Sequence, residues 1–269
     1  MLNSIFHSLD PVLVQLGPFA IRWYGLAYLV GFACAALIIY FVAKRWKLKF
    51  SSDDILIILV CAMAGVIIGA RLGYCIFYGA GQYLANPLQI LNLSQGGMSF
   101  HGGFVGAVIG LFIASKIIKK NFLSLCDLAA IGAPIGLFFG RCANFINGEL
   151  WGAPTDLPWG VVFGGAAGTM PRHPSQLYEA ILEGLVIFIV LFALSRKKPP
   201  FQQGFYSSLF LIMYGCFRFL VEFVRVPDPQ LGYLLGDWFT MGQLLSIPLI
   251  IAGIILLIWS FKTRRAQDE

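Results

Sequence analysis

Charge is scarce in this chain. Only 12% of its 269 residues are Asp, Glu, Lys or Arg, while 58% are hydrophobic, and the mean hydropathy is +0.79. That balance excludes an ordinary soluble globular domain and puts the chain in a lipid bilayer. Histidine occurs three times, and the six cysteines (Cys34, Cys61, Cys75, Cys126, Cys142 and Cys216) stand singly, without a CxxC pair or a nearby histidine. A disulfide framework and a zinc site are therefore not indicated, and no histidine or carboxylate spacing calls for a metal or an organic cofactor. The amino terminus lacks a basic n-region and a small-residue cleavage site, so it reads as uncleaved. The formal charge of +6 is dispersed among the ends of apolar runs rather than gathered in one patch, which argues against nucleic acid as a partner.

What the chain does have is long apolar runs. A hydrocarbon core takes about 20 helical residues to cross, and runs of that kind lie near residues 19–43, 55–78, 99–118, 125–143, 177–195, 204–224 and 241–261. The expected fold class is an all-α polytopic membrane protein: one integral membrane domain over residues 1–269, with seven transmembrane helices and an outer, periplasmic cap at 144–174. Of the nineteen basic residues, all but six fall in the clusters Lys44/Arg45/Lys47/Lys49, Lys116/Lys119/Lys120, Arg196/Lys197/Lys198 and Lys262/Arg264/Arg265. These follow spans one, three, five and seven, and the alternate loops carry almost no Lys or Arg. The positive-inside rule then sets the amino terminus outside and the carboxyl terminus in the cytoplasm.

The six basic residues left over are all arginine: Arg22, Arg71, Arg141, Arg172, Arg218 and Arg225. The topology puts each in an outer loop or toward the outer end of a span. An ionised arginine within a span costs about 2.5–3.5 kcal/mol on insertion scales, so several at one depth point to a wet or substrate-filled cavity. The plainer alternative is snorkelling to the headgroups with pairing to Glu149 or Glu222. Glycines recur at four-residue spacing as Gly65/Gly69/Gly73, Gly102/Gly106/Gly110 and Gly132/Gly136/Gly140, which marks faces for close helix packing. Two stretches on the arginine side stand out, Gln82–Met98 and Asn144–Pro174, the second rich in Gly, Pro and Trp as an ordered cap would be.

The densest polar cluster runs from Arg141 through Asn144, Asn147 and Glu149 to Gly152. A guanidinium can hold a phosphate bidentately, and the two amides can bond phosphate or glycerol oxygens. Glu149 suits three roles: holding Arg141, orienting a hydroxyl or accepting a proton. Ser99 is placed to cap the third span, and His101 in its first turn has an intrinsic pKa suited to acid–base work, although a lone interfacial histidine also serves as an anchor. Arg218, Glu222 and Arg225 follow at i, i+4 and i+7 and read either as a site or as a salt-bridge ladder. Tyr24 carries a hydroxyl at the same depth, in Arg22-Trp23-Tyr24-Gly25, and Arg172-His173-Pro174-Ser175-Gln176-Leu177-Tyr178-Glu179 opens the fifth span as a cap or a contact.

The blocks RWYGL, MSFHGG, GRCANFINGELWG, RHPSQLYE and RFLVEFVRVPD, in this order on seven spans, resemble the bacterial phosphatidylglycerol–prolipoprotein diacylglyceryl transferase (Lgt) family. The likeness runs from Arg22 to the last span, and GRxxNFxNxExxG is its specific signature. It implies that Arg141 binds phosphatidylglycerol, that His101 and Tyr24 matter for activity, and that Asn144, Glu149, Gly152, Arg218, Glu222 and Arg225 belong to the site. It also implies a multi-pass enzyme of the bacterial inner membrane with its active site toward the outer leaflet. The implied partners are phosphatidylglycerol, the bilayer and the signal peptide of a preprolipoprotein with its lipobox cysteine.

The implied reaction moves diacylglyceryl onto that cysteine, forms a thioether and releases glycerol phosphate. Attack on a saturated carbon needs a thiolate, so a base helps, and either His101 or Glu149 fits. The departing phosphate needs positive charge, which Arg141 with Arg218 or Arg225 would supply, while Asn144 and Tyr24 orient the headgroup. A transporter of anionic lipid or metabolite would also gather arginines, but no internal repeat is present and the span number is odd. A structural scaffold leaves the outer polar clusters without a purpose.

Overall fold

The computed structural model describes residues 1–16, 19–77, 83, 86–92, 97–197, 202–227 and 232–268. In a bilayer no water satisfies backbone groups, so an apolar run must bond within itself, and helices dominate accordingly. In chain order the elements are α1 (Leu2–His7), the hairpin β1 (Val12–Leu16) and β2 (Phe19–Arg22), α2 (Trp23–Arg45), α3 (Ser52–Phe77), α4 (Phe100–Ile117) and α5 (Phe122–Ile146). They continue with α6 (Ser175–Leu194), α7 (Phe205–Val221), the short hairpin β3 (Tyr233–Leu235) and β4 (Phe239–Thr240), and α8 (Met241–Asp268). Among the described residues six helices are long and apolar enough to cross a membrane, and α4 is a shorter apolar helix. The protein is therefore polytopic and mostly helical.

The start of the chain departs from expectation. The first apolar run was expected to be helical from residue 19, but residues 19–22 form β2, paired antiparallel with β1 in the register Val14↔Ile21 and Gln15↔Ala20. Val12, Val14 and Ile21 are β-branched, and Gly17-Pro18 between the strands disfavours a continuing helix. Helix α2 begins only at Trp23, whose N–H donates to the Pro11 carbonyl at 3.2 Å. In the stretch Gln82–Met98, residues 82, 84–85 and 93–96 lie outside the described residues, and the remainder includes a 3-10 turn at Pro87–Leu91.

The chain divides into two compact units, Ala43–Cys126 and the pair of segments Met1–Val42 with Asp127–Glu269. In the first, α3 and α4 are joined by facing glycines. A Cβ at Gly65 would stand 2.1 Å from the Gly106 carbonyl oxygen, and one at Gly69 2.3 Å from that of Gly102. Any side chain on this stripe would push the helices apart, as expected of small residues at an interface in lipid. Ser99 caps α4 as its sequence position suggests, its hydroxyl accepting from the Gly102 N–H at 3.3 Å.

In the second unit the same device recurs less tightly. A Cβ on Gly31 of α2 would meet the Gly136 Cα of α5 at 3.0 Å, whereas Gly140 has open space beside it. Asp127 in α5 satisfies the free N-terminal donors of α7: its carboxylate accepts from the backbone N–H of Gly204 at 2.7 Å and of Ser207 at 2.8 Å, and from the Ser207 hydroxyl at 2.7 Å. Helix α6 is not uniform. Its first turn is α-helical to Glu179, residues Ala180–Val186 are π-helical, and α geometry resumes at Ile187. A Cβ at Gly184 would lie 2.8 Å from the Phe138 Cα, so the missing side chain lets α5 and α6 approach here.

Candidate functional site

The site is built where α5 ends. Gly148 adopts a left-handed conformation, φ +65°, which lets the chain double back so that the Glu149 N–H reaches the Asn144 carbonyl at 3.1 Å. The reversal brings the Glu149 carboxylate onto its neighbours: it accepts from Asn144 Nδ2 at 2.7 Å and from Asn147 Nδ2 at 3.4 Å. Gln176 on α6 locks the turn by donating from Nε2 to the Glu149 carbonyl. Further on, the Gly152 N–H donates to the His173 carbonyl and the Ala153 N–H to that of Val224, both at 2.9 Å. A Cβ on Gly152 would stand 2.4 Å from the Val224 oxygen and 2.7 Å from the His173 Cβ. Gly152 is thus a point of backbone contact that binds the loop to the segment just after α7; that loop begins at residue 147 and not at 144 as expected, because α5 continues to Ile146.

Beneath this turn lies a charge cluster. Glu179 on α6 is fully buried, and three guanidiniums from three segments reach it. Arg141 approaches through Nε at 2.7 Å and Arg218 through Nη1 at 2.6 Å, and Arg225 closes the set through Nη1. Arg218 also pairs with Glu222 at 2.8 Å and Arg225 with the same carboxylate at 3.4 Å, so the expected i, i+4 ladder forms. Glu222 is steadied by the Thr240 hydroxyl, which donates to it at 2.9 Å. It lies against Gly242, where a Cβ would be 2.6 Å from its carboxyl carbon. Arg141 and Arg218 keep 17% and 18% of their side-chain surface exposed, so two of the three cations are not sealed.

Around this core stands an aromatic rim. Trp159 Nε1–H donates to the Tyr178 hydroxyl at 2.7 Å, and that oxygen lies 3.2 Å from His173 Nδ1. Burial lowers the His173 pKa below the ordinary histidine value, so its imidazole is neutral at neutral pH. The Tyr24 hydroxyl lies 3.1 Å from that of Tyr28 and within coulombic reach of Glu149 and Arg141. Phe6 of α1 packs edge-on against Phe145 and Phe163, and a cavity of about 420 Å³ opens there between α1, Asn147 and Trp151. Among the described residues no three His, Cys, Asp or Glu side chains gather as metal ligands would.

Of the residues singled out from the sequence, the structure brings together Arg141, Arg218, Glu222 and Arg225 in one network, and Asn144, Asn147 and Glu149 in another. His101 lies in the first turn of α4, with its side chain outside the described residues. Arg141 pairs with Glu179 and Glu183 rather than with Glu149. Three other arginines do different work. Arg71 donates to the carbonyls of Gln89, Ile90, Asn92 and Gly97 at 2.7–3.2 Å. Arg172 donates to those of Ala167 and Gly152, and Arg22 is exposed on β2. Glu183 is the group that a reading led by cations passed over, and Glu179 was read only as the end of a cap or contact segment, not as the partner of the arginines. Two carboxylates four residues apart in a span of mean hydropathy 2.3 were the available signal, since ionisable groups at such depth need partners.

Residues 11–259 match the family model described as prolipoprotein diacylglyceryl transferase. The chain is 52% identical over 265 residues to the phosphatidylglycerol–prolipoprotein diacylglyceryl transferase of Solidesulfovibrio magneticus, covering 97% of this chain and 96% of that one. It is 48% identical to the enzyme of the same name from Photobacterium profundum, covering 96% of each. Against that of Pseudomonas aeruginosa it is 45% identical, covering 98% of each.

Proposed function

Because the chain belongs to the prolipoprotein diacylglyceryl transferase family, we propose that its arginine cluster holds the phosphate of phosphatidylglycerol while a prolipoprotein cysteine attacks the adjoining glycerol carbon. The protein transfers diacylglyceryl from phosphatidylglycerol to that cysteine. The observation that carries the site reading is the convergence of Arg141, Arg218 and Arg225 on Glu179, with Arg141 and Arg218 still partly exposed.

In the proposed reaction a bond forms between sulfur and carbon while the bond from that carbon to the phosphate oxygen breaks. Glycerol phosphate leaves, and the thiol proton passes to a base. Arg141, whose side chain stays partly exposed, offers its guanidinium to the phosphate, and Glu179 fixes the fork by holding Nε. Arg218 and Arg225 add positive potential where negative charge gathers on the leaving group, in a place shielded from solvent. Asn144 and Tyr24 orient the headgroup, and Asn147 and Gly152 shape the turn that presents them. Glu222 holds Arg218 and Arg225. The base is His101 or Glu149; Glu149 is held by two amides and pairs with no cation among the described residues.

The finer topology follows the same reading: seven transmembrane helices, the amino terminus and the loop at 147–174 outside the bacterial inner membrane, and the carboxyl terminus in the cytoplasm. The direct test incubates purified protein with phosphatidylglycerol and a lipobox peptide and weighs the peptide. A gain of one diacylglyceryl group that vanishes when the peptide cysteine is replaced by serine is the expected result. Phosphatidylglycerol movement across vesicles without any gain of peptide mass favours a transporter and overturns the reading.

A further inference from the structure

Glu179 and Glu183 stand one turn apart on α6, and only the first is fully engaged. Glu183 is wholly buried, and its one ion pair among the described residues is with Arg141 Nη2 at 3.8 Å, beyond hydrogen-bonding distance. Among the described residues neither of its oxygens accepts a hydrogen bond. A buried carboxylate held only by one long ion pair and no hydrogen bond is costly, since it has lost its water and gained little in return. The groups that face it are Arg141 from α5, Tyr214 and Arg218 from α7, Arg225 beyond α7, and Glu179 from its own helix. Glu222 completes the set through Arg218. The π-helical stretch Ala180–Val186 contains Glu183, and such stretches are frequent at functional sites. Gly184 beside it packs on Phe138, three residues before Arg141 on α5.

Charge counting decides what this carboxyl does. Three guanidiniums (Arg141, Arg218, Arg225) meet three carboxyls (Glu179, Glu183, Glu222), so the fully ionised cluster sums to zero. A phosphodiester brings one more negative charge to a place where no member is more than 18% exposed. One proton restores neutrality, and the group with the fewest partners is the one to take it. We propose that Glu183 takes up a proton when the headgroup phosphate binds at Arg141 and releases it when glycerol phosphate departs. This rests on the phosphate reading given above. Glu183 makes no bond to carbon or sulfur; it is a positioning residue that acts through Arg141, letting that cation turn its charge to the ligand.

The test measures equilibrium binding of dioctanoyl phosphatidylglycerol to the full detergent-purified chain without peptide. One coupled proton makes the wild-type Kd rise about tenfold per pH unit over part of the range from about pH 6 to pH 9. Glu183→Gln, which keeps the shape and removes the titration, should bind with a flat profile near the tightest wild-type value. A flat wild-type profile overturns the proposal, and so does a Glu183→Gln profile that tracks the wild type. Should that variant fail to fold, proton uptake by the wild type in weak buffer decides instead: about one proton per lipid bound supports the proposal, and none overturns it. Arg141→Lys separates the two levels. If its affinity matches the wild type at every pH, the phosphate reading fails and takes this inference with it. If it binds weakly while Glu183→Gln keeps the wild-type slope, only the role of Glu183 is lost.

Discussion

Arg71 and Arg141 look alike in the sequence, each late in an apolar run and each within two residues of a glycine, yet their guanidiniums are used in opposite ways. Arg71 is buried and directs its donors at four backbone carbonyls, tying the 3-10 turn Pro87–Leu91 and its flanks to the end of α3. A guanidinium has five N–H donors, so this clamp leaves no fork for a ligand. Arg141 instead faces carboxylates, keeps part of its surface open and shares its partner with two other arginines. Carbonyls satisfy an arginine's hydrogen bonds and organise a loop. Carboxylates set its charge, and a cluster of them can be tuned to admit an anion.

The contrast can be broken or sharpened at several positions. The largest effect is expected for Glu179→Ala, which leaves three guanidiniums around an apolar gap. Loss of a shared buried partner costs about 3–5 kcal/mol, so thermal unfolding in detergent should shift down strongly and transfer should stop. Arg71→Lys should be milder. A lysine cannot span the carbonyls that the fork reaches, and the loss of charge-assisted bonds, each worth about 1.5–3 kcal/mol, should appear as faster amide exchange at residues 86–92. Phosphatidylglycerol affinity should stay within about twofold of wild type.

Gly152→Ala tests whether the backbone contact just after α7 positions Arg225. Forcing a methyl against the Val224 carbonyl should cost about 1–3 kcal/mol and raise KM for phosphatidylglycerol more than it lowers kcat. The smallest effect belongs to His173, whose pKa is depressed by burial in the folded state. Below the unfolded value the unfolded chain binds a proton that the folded chain refuses, so this histidine removes stability as the pH falls. Acid unfolding of His173→Gln should begin at a slightly lower pH than that of the wild type.

Most of the helical framework was legible because it is written in local periodicity. The glycine stripes of α3 and α4 marked faces for close packing, though not which helix each would meet, and Ser99 was placed as a cap. The hairpin before α2 was not legible, because residues 19–21 are apolar like the helix that follows, and hydropathy does not distinguish a strand from a span. In the site, the i, i+4, i+7 spacing of Arg218, Glu222 and Arg225 announced their ladder. The meeting with Glu179 was hidden because it joins side chains 39 and 46 positions apart, a distance that only tertiary packing closes. Asn144, Asn147 and Glu149 were grouped by sequence alone, but the left-handed turn at Gly148 decides that the amides hold Glu149 and leave Arg141 to α6.

The central claim is that the cluster around Glu179, and not the carbonyl clamp of Arg71, receives the lipid phosphate. Its most direct test is dioctanoyl phosphatidylglycerol binding to Arg141→Lys and Arg71→Lys, measured side by side in folded, detergent-purified protein. Loss of the forked contact is worth about 1.5–3 kcal/mol, so Arg141→Lys should bind at least tenfold more weakly while Arg71→Lys stays within about twofold. Equal affinities in the two variants, or a greater loss in Arg71→Lys, would contradict it.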